Sequence, residues 1–465
     1  MNIDARQDPN ESSHEHTVHE IVVEGIGRRF SLDIDFSALL DRSSNHPARG
    51  LDFLLIAATV YAIDKIVPRV SADDRWKRIF SVTMPLHEPV PWNDAADTLA
   101  EALSFLTGDE WTLSFVPVEK EFSRRRQNRR KAPMGYPKTP VVSLLSGGLD
   151  SFIGALDLLA EHKEGRILFV SHYDGHVSGP ASDQDNLRIF LASKFIGQVD
   201  HLQVRTGVRI KDASDKGETA AGPTEEKKRK KYEFETSFRS RSLVFIGLAV
   251  YAASKVGPEI PVLIPENGAI ALNLPLNPSR RGACSTRTVH PQFISTLQAA
   301  LRAVGISNPI RNPYEFKTKG EMVNECKSEE FLRASYAKSN SCGKAGRKTH
   351  WKNRKARACG TCIPCLLRRA SLHAKAWDNE GFGYDVFKSA PEEFPDFHAL
   401  LGLIRKNPTI HDIARSLIAN GRLPIDRLND YAGVVRRMLD EVTAWLAAKG
   451  SAKARHLAGV RKASA

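Results

Sequence analysis

The chain has 465 residues, more than the ~250–300 that one hydrophobic core accommodates, so two or three domains are expected. Its hydrophobic and charged contents of 42% and 26% are typical of globular proteins and exclude collagen-like and largely disordered classes. The net charge of +13, from 67 basic and 54 acidic residues, is compatible with nucleotide phosphates, nucleic acid or an acidic protein as a partner. No apolar run reaches the ~20 residues of a membrane-spanning helix, and no signal-peptide pattern opens the chain, so we expect a cytoplasmic protein without membrane contact.

The first part of the chain is predicted to form a separate module. Residues 1–16 are polar and are expected to be disordered. Residues 17–123 combine alternating strand patterns with two apolar helical segments, which predicts an α+β module. The basic run Arg124–Lys131 then falls in a predicted linker, 124–138. Such a run is either a solvated loop or a contact surface for polyphosphate or a macromolecule.

From residue 139 the pattern changes to strands that alternate with helices. Val141–Leu145 and Arg166–Ser171 are short, continuously apolar runs, as expected of parallel strands buried on both faces. This alternation predicts an α/β domain over 139–390 with a parallel sheet and helices on both of its faces. The charged segment 207–231 is predicted to be a surface insert. Residues 391–465 carry an apolar stripe at helical spacing and are predicted to form a helical C-terminal region.

A glycine-containing turn follows the first of these apolar strands and precedes a predicted helix. Its residues are Ser146, Gly147, Gly148, Leu149, Asp150 and Ser151. Two glycines let the backbone approach an anion closely, and the helix N-terminus supplies N–H groups and a positive dipole end. Asp150 is expected to orient the loop or to help hold Mg²⁺. Because no lysine follows the glycines, the turn differs from the phosphate loop of common NTPases.

Four cysteines have the spacing of metal ligands. They are Cys342, Cys359, Cys362 and Cys365. Four soft thiolates without an open position predict a structural zinc ion, and an iron–sulfur cluster is the alternative. Cys284 and Cys326 lie apart from this group and are expected to be inert thiols rather than sulfur-carrying nucleophiles.

These segments resemble a known family. Ser146–Ser151 at a strand–helix junction resembles the PP-loop ATP pyrophosphatases residue for residue. With this loop and the four cysteines, the segment of roughly Val141–Ala376 resembles the 7-cyano-7-deazaguanine synthases (the QueC family). The segments that begin at Arg241 and at Thr318 resemble two further family segments. The resemblance implies a PP-loop fold of the adenine nucleotide alpha hydrolase type, with ATP, Mg²⁺ and Zn²⁺ as cofactors.

The resemblance also implies roles for individual residues. Asp150, Arg241 and Lys319 would be catalytic, and the loop Ser146–Ser151 would bind ATP. Thr318 and Glu321 form a capping-box pattern that places Lys319 in the first turn of a helix, so Lys319 and Arg241 could also be plain surface residues.

The substrate would lie at the end of another predicted strand. Glu266 and Asn267 follow the apolar run that ends at Ile264, and ligands of α/β proteins bind at the carboxyl ends of strands. These two residues are therefore expected to pair with a guanine-like edge of the substrate, unless they only shape the loop.

The activity expected from the resemblance is a C–N bond-forming ligase. ATP would adenylate the carboxylate of a 7-deazaguanine-type substrate, and ammonia or an amine would then attack to give a nitrile or an amide. Family members lack the module before Thr139, the 207–231 insert and the C-terminal region. This enlarged layout resembles QueC-like proteins of anti-phage defence operons, which leaves a protein partner or acceptor, nucleic acid binding and a homodimer open. A tRNA-thiolating PP-loop enzyme and a non-catalytic nucleotide-binding or nucleic-acid-binding subunit are the alternative functions.

Overall fold

The computed structural model describes residues 1–7, 17–26, 28–35, 39, 47–118, 136, 138–175, 179–211, 232–276 and 287–463. Backbone contacts divide the chain into two compact units. The first unit consists of Met1–Tyr136, Gln203–Pro258 and Thr296–Ser307, and the second of Pro137–Leu202, Glu259–Ser295 and Asn308–Ala465. The basic runs Arg124–Lys131 and Lys227–Lys231 and the thiol of Cys284 lie outside the described residues.

The strands of the described residues are β1 (Asn2–Gln7), β2 (Thr17–Val23), β3 (Arg29–Ile34), β4 (Ile79–Leu86), β5 (Glu110–Pro117), β6 (Val142–Leu144), β7 (Ile167–Tyr173), β8 (Val199–Lys211), β9 (Val262–Leu263) and β10 (Ile310–Arg311). The α-helices are α1 (Ala48–Ile66), α2 (Pro89–Asp94), α3 (Ala96–Thr107), α4 (Leu149–Glu161), α5 (Pro180–Lys194), α6 (Arg241–Val256), α7 (Gly268–Ala271), α8 (Pro291–Ala303), α9 (Lys319–Asn324), α10 (Glu329–Ser335), α11 (Ile363–His373), α12 (Pro395–Lys406), α13 (Ile410–Ile418), α14 (Leu428–Lys449) and α15 (Ala452–Ala458). None of these helices has the length and apolar character needed to cross a bilayer.

The first unit is built on a mixed sheet in the order β5-β4-β1-β2-β3-β8, with β8 belonging to this unit from Gln203 onward. The pairs β1–β2, β2–β3 and β3–β8 are antiparallel, whereas β4 runs parallel to β1 and to β5. Helices α1 and α6 pack against each other. Gly247 permits their close approach, because a Cβ at this position would lie 2.9 Å from the Cβ of Ala57.

The second unit contains a parallel sheet in the order β10-β9-β6-β7. One hydrophobic core packs α4 and α5 with residues of this sheet, including Phe152, Phe169 and Leu187. A second core joins α11 to the C-terminal helices, through residues such as Leu366 and Trp445. The α/β class expected from the sequence is confirmed by these sheets and their helices.

The N-terminal residues differ from the expectation. Disorder was predicted for residues 1–16, but Asn2–Gln7 forms β1, which pairs with both β2 and β4. Ile3 and Ala5 alternate with polar residues, and both are buried. Two apolar side chains in a polar segment are a weak signal, and neighbouring strands that lie far along the chain supply the rest of the stabilisation. Residues 8–16 lie outside the described part of the chain.

The predicted domain limits also differ from the two units. Residues 203–258, predicted within the 139–390 domain, belong to the first unit, where α6 packs on α1. The predicted insert 207–231 begins inside β8, which continues to Lys211 and pairs with β3. Residues 391–465 do not form a separate region, because Phe397 and Val435 share one hydrophobic core with Leu366 of α11. All three boundaries between units are determined by packing between segments that are distant in the chain, and such packing cannot be inferred from local composition.

Candidate functional site

The sheet of the second unit has a switch point at its central strand. From β6 the chain passes through α4 to β7 on one side, whereas the later strand β9 pairs with the other side of β6. Ligands of open α/β sheets bind in the crevice at the carboxyl ends of strands at such a point. Ser146–Ser151 follows β6, while Glu266 and Asn267 follow β9. The segments expected to bind ATP and substrate therefore lie at the same crevice.

The loop after β6 has a shape that depends on its small residues. Gly147 adopts a φ of +93°, which side-chain-bearing residues rarely adopt, and Gly148 is the N-cap residue of α4. The hydroxyl of Ser151 accepts a hydrogen bond from the Ser146 N–H at 3.1 Å and lies 3.0 Å from the Ser146 hydroxyl. The two serines thus close the turn on itself directly before the helix, and the predicted strand–turn–helix arrangement is confirmed.

The residues that precede the cysteine cluster support this loop. The N–H of Asn340 donates to the carbonyl oxygen of Gly147 at 2.8 Å. The N–H of Leu149 donates to the Ser341 hydroxyl oxygen at 3.2 Å. First-turn N–H groups have no partner within their helix and are the groups that bind phosphate at helix N-termini. The Ser341 oxygen therefore lies where an oxygen of a bound anion would accept the same hydrogen bond.

Asp150 is bound on both of its carboxylate oxygens. The Lys319 ammonium donates to Oδ1, and Asn267 donates to Oδ2 from its side-chain amide at 2.7 Å and from its backbone N–H at 3.2 Å. Only 3% of the Lys319 side chain and 12% of the Asp150 side chain are exposed, so solvent screens this ion pair little. Asp150 therefore fits the role of orienting the loop. Its expected part in holding Mg²⁺ stays a prediction.

Lys319 reaches this position because of the helix cap predicted from the sequence. The Thr318 side chain accepts a hydrogen bond from the Glu321 N–H at 3.0 Å, and the Glu321 carboxylate accepts one from the Thr318 N–H at 2.8 Å. The capping box is thereby confirmed, with Lys319 as the first residue of α9. Since the lysine is buried against Asp150, it is not the surface residue that the sequence left open.

Asn267 is engaged within the protein. Its side-chain oxygen accepts a hydrogen bond from the Ile270 N–H at 3.1 Å and caps the short helix α7, while its amide nitrogen binds Asp150. The sequence suggested that Asn267 pairs with a substrate edge. Its hydrogen bonds instead fit a role in holding the Asp150 carboxylate.

Glu266 offers a carboxyl oxygen to a ligand. Its Oε2 atom is buried and makes no hydrogen bond within the described residues. Burial and the nearby charge of Asp150 raise the pKa of Glu266 to about 8, although Lys319 acts in the opposite direction. Near neutral pH the carboxyl group is therefore mostly protonated, and it presents both an O–H donor and an acceptor to a bound molecule.

The four predicted metal ligands lie together in the second unit. All four sulfur atoms of Cys342, Cys359, Cys362 and Cys365 lie within 4.8 Å of one another. The Sγ atoms of Cys359 and Cys365 are 3.8 Å apart, and those of Cys362 and Cys365 are 3.3 Å apart. A tetrahedral zinc ion with Zn–S bonds of about 2.3 Å would separate its sulfur ligands by about 3.8 Å. The donor set thus fits one zinc ion, whereas an iron–sulfur cluster, with several iron and sulfide ions at its centre, would separate the ligands further.

Backbone groups around the cysteines complete this candidate metal centre. The N–H of Cys359 donates to the Cys342 sulfur at 3.3 Å, and the N–H of Cys362 donates to the Cys359 sulfur at 3.4 Å. Such hydrogen bonds orient metal ligands and stabilise thiolates. Gly360 is required in the turn between two ligands, because its φ is +81° and a Cβ would lie 2.6 Å from the Tyr384 carbonyl oxygen.

No protein-family model, curated protein or solved structure matches this chain.

Two further residues were expected to matter from the sequence, one as an inert thiol and one as a catalytic group. Cys326 is buried, and burial raises the pKa of its thiol to about 12, which suits the inert role expected of it. Arg241 begins α6 in the first unit, where its guanidinium lies 5.9 Å from the centre of the Phe245 ring. Its predicted role at phosphate remains a prediction.

The sequence did not indicate two residues that shape the loop. Asn340 supports Gly147 as described, and the Gln184 side chain donates to the carbonyl oxygens of Ser146, at 3.4 Å, and His172, at 2.8 Å. The sequence contained one indication of a role for Asn340, namely its position two residues before Cys342. Gln184 had none, because a glutamine in an amphipathic helix is usually a surface residue.

Proposed function

We propose that the chain is a PP-loop enzyme of the QueC-like type. It would use ATP to adenylate the carboxylate of a 7-deazaguanine-type substrate, such as 7-carboxy-7-deazaguanine, for attack by ammonia or an amine. The observation that carries this proposal is the buried Lys319–Asp150 pair at the loop Ser146–Ser151, beside Glu266 at the switch point of the sheet. The four-cysteine cluster, joined to the loop through Asn340 and Ser341, agrees with the same family.

The proposed reaction to the amide has two steps, adenylation of the carboxylate and attack by nitrogen. A carboxylate oxygen of the substrate attacks the α-phosphorus of ATP, the bond to the β-phosphate oxygen breaks, and pyrophosphate leaves. The nitrogen nucleophile then attacks the acyl carbon, loses a proton and expels AMP, which leaves an amide. A nitrile requires the further loss of one water, for which a second ATP would activate the amide oxygen in the same way.

The residues of the site have distinct roles in this scheme. First-turn N–H groups of α4 bind phosphate oxygens, and Ser341 yields its hydrogen bond from Leu149 to them. Lys319, held by Asp150, supplies positive charge where negative charge develops on the departing pyrophosphate. Glu266 binds polar atoms of the substrate through its free carboxyl oxygen. Zinc, when bound, would hold Cys342 and the Cys359–Cys365 turn together. ATP would bind together with Mg²⁺.

The alternative functions receive less support. A thiolating enzyme needs a reactive cysteine, but among the described residues the thiol of Cys326 is buried with a raised pKa, and the other four cysteines belong to the candidate metal centre. The sixth cysteine, Cys284, lies outside the described residues. A pure nucleotide-binding subunit has no need of a buried lysine–carboxylate pair, which is costly to desolvate, beside the phosphate loop.

The direct test is product analysis. The purified full-length chain is incubated with ATP, 7-carboxy-7-deazaguanine and ammonium or a primary amine. Chromatography of nucleotides and mass spectrometry of the deazaguanine product should show AMP and an amide or nitrile. Formation of ADP alone, or of AMP without any change in the carboxylate substrate, would contradict adenylation of that substrate.

A further inference from the structure

A long C-terminal helix contacts the segment that carries Lys319. The Glu441 carboxylate of α14 accepts hydrogen bonds from the Thr318 hydroxyl and, at 3.2 Å, from the Gly320 N–H. Thr318 and Gly320 flank Lys319 on both sides. Glu441 therefore fixes the backbone of the first turn of α9 directly at the lysine.

Gly320 is shaped for this contact. A Cβ at position 320 would lie 2.4 Å from Oε1 of Glu441 and 2.8 Å from its Oε2. Any larger residue would displace the carboxylate, since carbon and oxygen atoms do not approach this closely. The glycine thus permits a close approach that the side chain of Glu441 uses.

A second residue of α14, one helical turn earlier, holds the other part of the cap. The Arg437 guanidinium donates to both carboxylate oxygens of Glu321 and, at 2.9 Å, to the carbonyl oxygen of Phe316. Glu321 is the residue that closes the capping box on Thr318. Arg437 and Glu441 lie four residues apart, on one face of the helix, so α14 binds the cap at two points.

The helix is itself fixed in place. Val435, Leu439, Val442 and Trp445 of α14 are buried in the core that also contains Leu366 of α11. The Glu441 carboxyl is partly buried, and burial raises its pKa to about 7, although the hydrogen bonds from Thr318 and Gly320 and the charge of Lys319 act in the opposite direction. Burial of a carboxyl group is unfavourable, so a loosely attached helix would leave Glu441 in solvent. The burial of Glu441 therefore indicates that α14 is held firmly against α9.

We propose that α14 is part of the catalytic apparatus, with Glu441 and Arg437 as positioning residues that hold Lys319 against Asp150. This inference rests on the proposed function for the role of Lys319, but the contacts themselves do not. The C-terminal region would then complete the site instead of serving only to dock a partner. We call the contacts of Arg437 and Glu441 with the Thr318–Glu321 segment the α14 clamp.

The clamp is tested with Glu441→Ala, Glu441→Gln and the matched control Asp440→Asn in the full-length chain. Asp440 is the neighbouring acid on α14 and is mostly exposed, and its ion pair within the described part of the chain is with Arg436 of its own helix. The first readout is the rate at which acetic anhydride acylates Lys319, followed by mass spectrometry, which requires no enzymatic activity. The second is kcat and KM for AMP release.

The clamp predicts a specific pattern. Glu441→Ala should raise the acylation rate of Lys319 about tenfold and lower kcat by about 10- to 100-fold, the size expected for a catalytic group misplaced by about 1 Å. Glu441→Gln should bring both the acylation rate and kcat most of the way back to the wild-type values, because its amide oxygen still accepts the Gly320 hydrogen bond. Asp440→Asn should match the wild type. Unchanged metal content and melting temperature identify variants whose second unit remains folded.

A double-mutant cycle tests the contact independently. Gly320→Ala should also increase acylation of Lys319, since the new methyl group displaces the Glu441 carboxylate. In the Glu441→Ala background the methyl group has space, so the same change should add little, less than about twofold. Additive effects would show that Gly320 and Glu441 act separately and would overturn the clamp.

The outcomes separate the two proposals. If the wild type releases no AMP with any carboxylate, the proposed function fails, while acylation of Lys319 still decides the clamp. If AMP is released but Glu441→Ala and Asp440→Asn behave alike in both readouts, the clamp is wrong and the proposed function stands.

Discussion

The loop Ser146–Ser151 and the cysteine cluster lie in one unit, but they are held in shape by different means. The loop Ser146–Ser151 owes its form to a left-handed glycine, two mutually bonded hydroxyls and the buried Lys319–Asp150 pair. The cluster consists of four sulfur atoms within 4.8 Å of one another, which a metal ion would hold together. One region depends on many weak contacts, and the other depends on a few strong bonds.

The two regions are also connected. Asn340 and Ser341 bind the loop at Gly147 and Leu149, and the next residue is the candidate metal ligand Cys342. A change in the cluster should therefore reach the loop, whereas loss of the loop's charges should leave the metal in place.

The largest effect is expected from breaking the charge pair. Lys319→Met or Asp150→Asn alone leaves one buried charge without its partner, which costs about 3–5 kcal/mol of the free energy of unfolding. Either change should also lower AMP release by at least about 100-fold. The double variant should regain stability in urea unfolding but not activity. Recovery of AMP release in the double variant would show that the pair is structural.

Metal removal should have the next largest effect. The purified chain should contain about one zinc ion, and Cys362→Ser should lower that content to near zero. Structural zinc contributes about 10–16 kcal/mol in small peptides, so the melting temperature and solubility should fall clearly. ATP affinity, measured by calorimetry on the soluble fraction, should fall with the zinc content because Asn340 and Ser341 lose their anchor.

The control for metal removal is Cys326→Ser, which changes a buried thiol outside the cluster. It should retain its zinc and its affinity for ATP. A zinc-free protein that binds ATP as tightly as the wild type would show that the cluster and the loop are independent. Iron with visible absorbance would favour the iron–sulfur alternative.

A smaller effect is expected from the link between the regions. Ser341→Ala removes the hydroxyl that binds the Leu149 N–H in the free protein. Because bound phosphate would take over this N–H, loss of the competing bond, about 1 kcal/mol, should lower the dissociation constant for ATP about fivefold. Zinc content should not change. Thr361→Val is the matched control on the metal side, since Thr361 bonds to the Cys359 sulfur and not to the loop. Equal effects of the two changes on ATP affinity would contradict a specific link through Ser341.

The sequence predicted those parts of the site that depend on local patterns. The turn at Ser146–Ser151, the capping box at Thr318 and the cysteine spacing each involve residues close together in the chain, and all three are present. Backbone conformation and helix capping follow from neighbouring residues, so a single sequence contains enough information to place them.

The sequence could not predict contacts between distant segments. Glu441 lies 121 residues from Gly320, and an acid on an amphipathic helix is usually exposed to solvent. Similarly, Asn267 looked like a substrate ligand because of its place after a strand, but its amide binds Asp150, 117 residues away. Tertiary packing determines which distant residues become hydrogen-bond partners. Packing of α6 on α1 likewise places the segment that contains α6 in the first unit.

The smallest effect concerns the pH dependence of stability, and it compares Glu266 with Glu441. Their pKa values are raised from 4.5 to about 8 and to about 7, in both cases mainly by burial. Asp150 and Lys319 act on Glu266, while Glu321, Lys319 and the hydrogen bonds from Thr318 and Gly320 act on Glu441.

The direction of the effect follows from proton binding. Each folded carboxyl binds its proton more tightly than the unfolded one, so its contribution to stability is fully present below pH 4.5. That contribution is lost as the pH rises to about 7 for Glu441 and to about 8 for Glu266. Glu266→Gln and Glu441→Gln should each remove the part of this loss that its own carboxyl group contributes, because an amide does not titrate. Urea unfolding between pH 5 and 9 measures the difference from wild type, and Glu325→Gln, an exposed acid that pairs with Lys317, controls for the change in net charge. If the stability difference between Glu266→Gln and wild type is the same at every pH, Glu266 is not a buried acid in the folded protein.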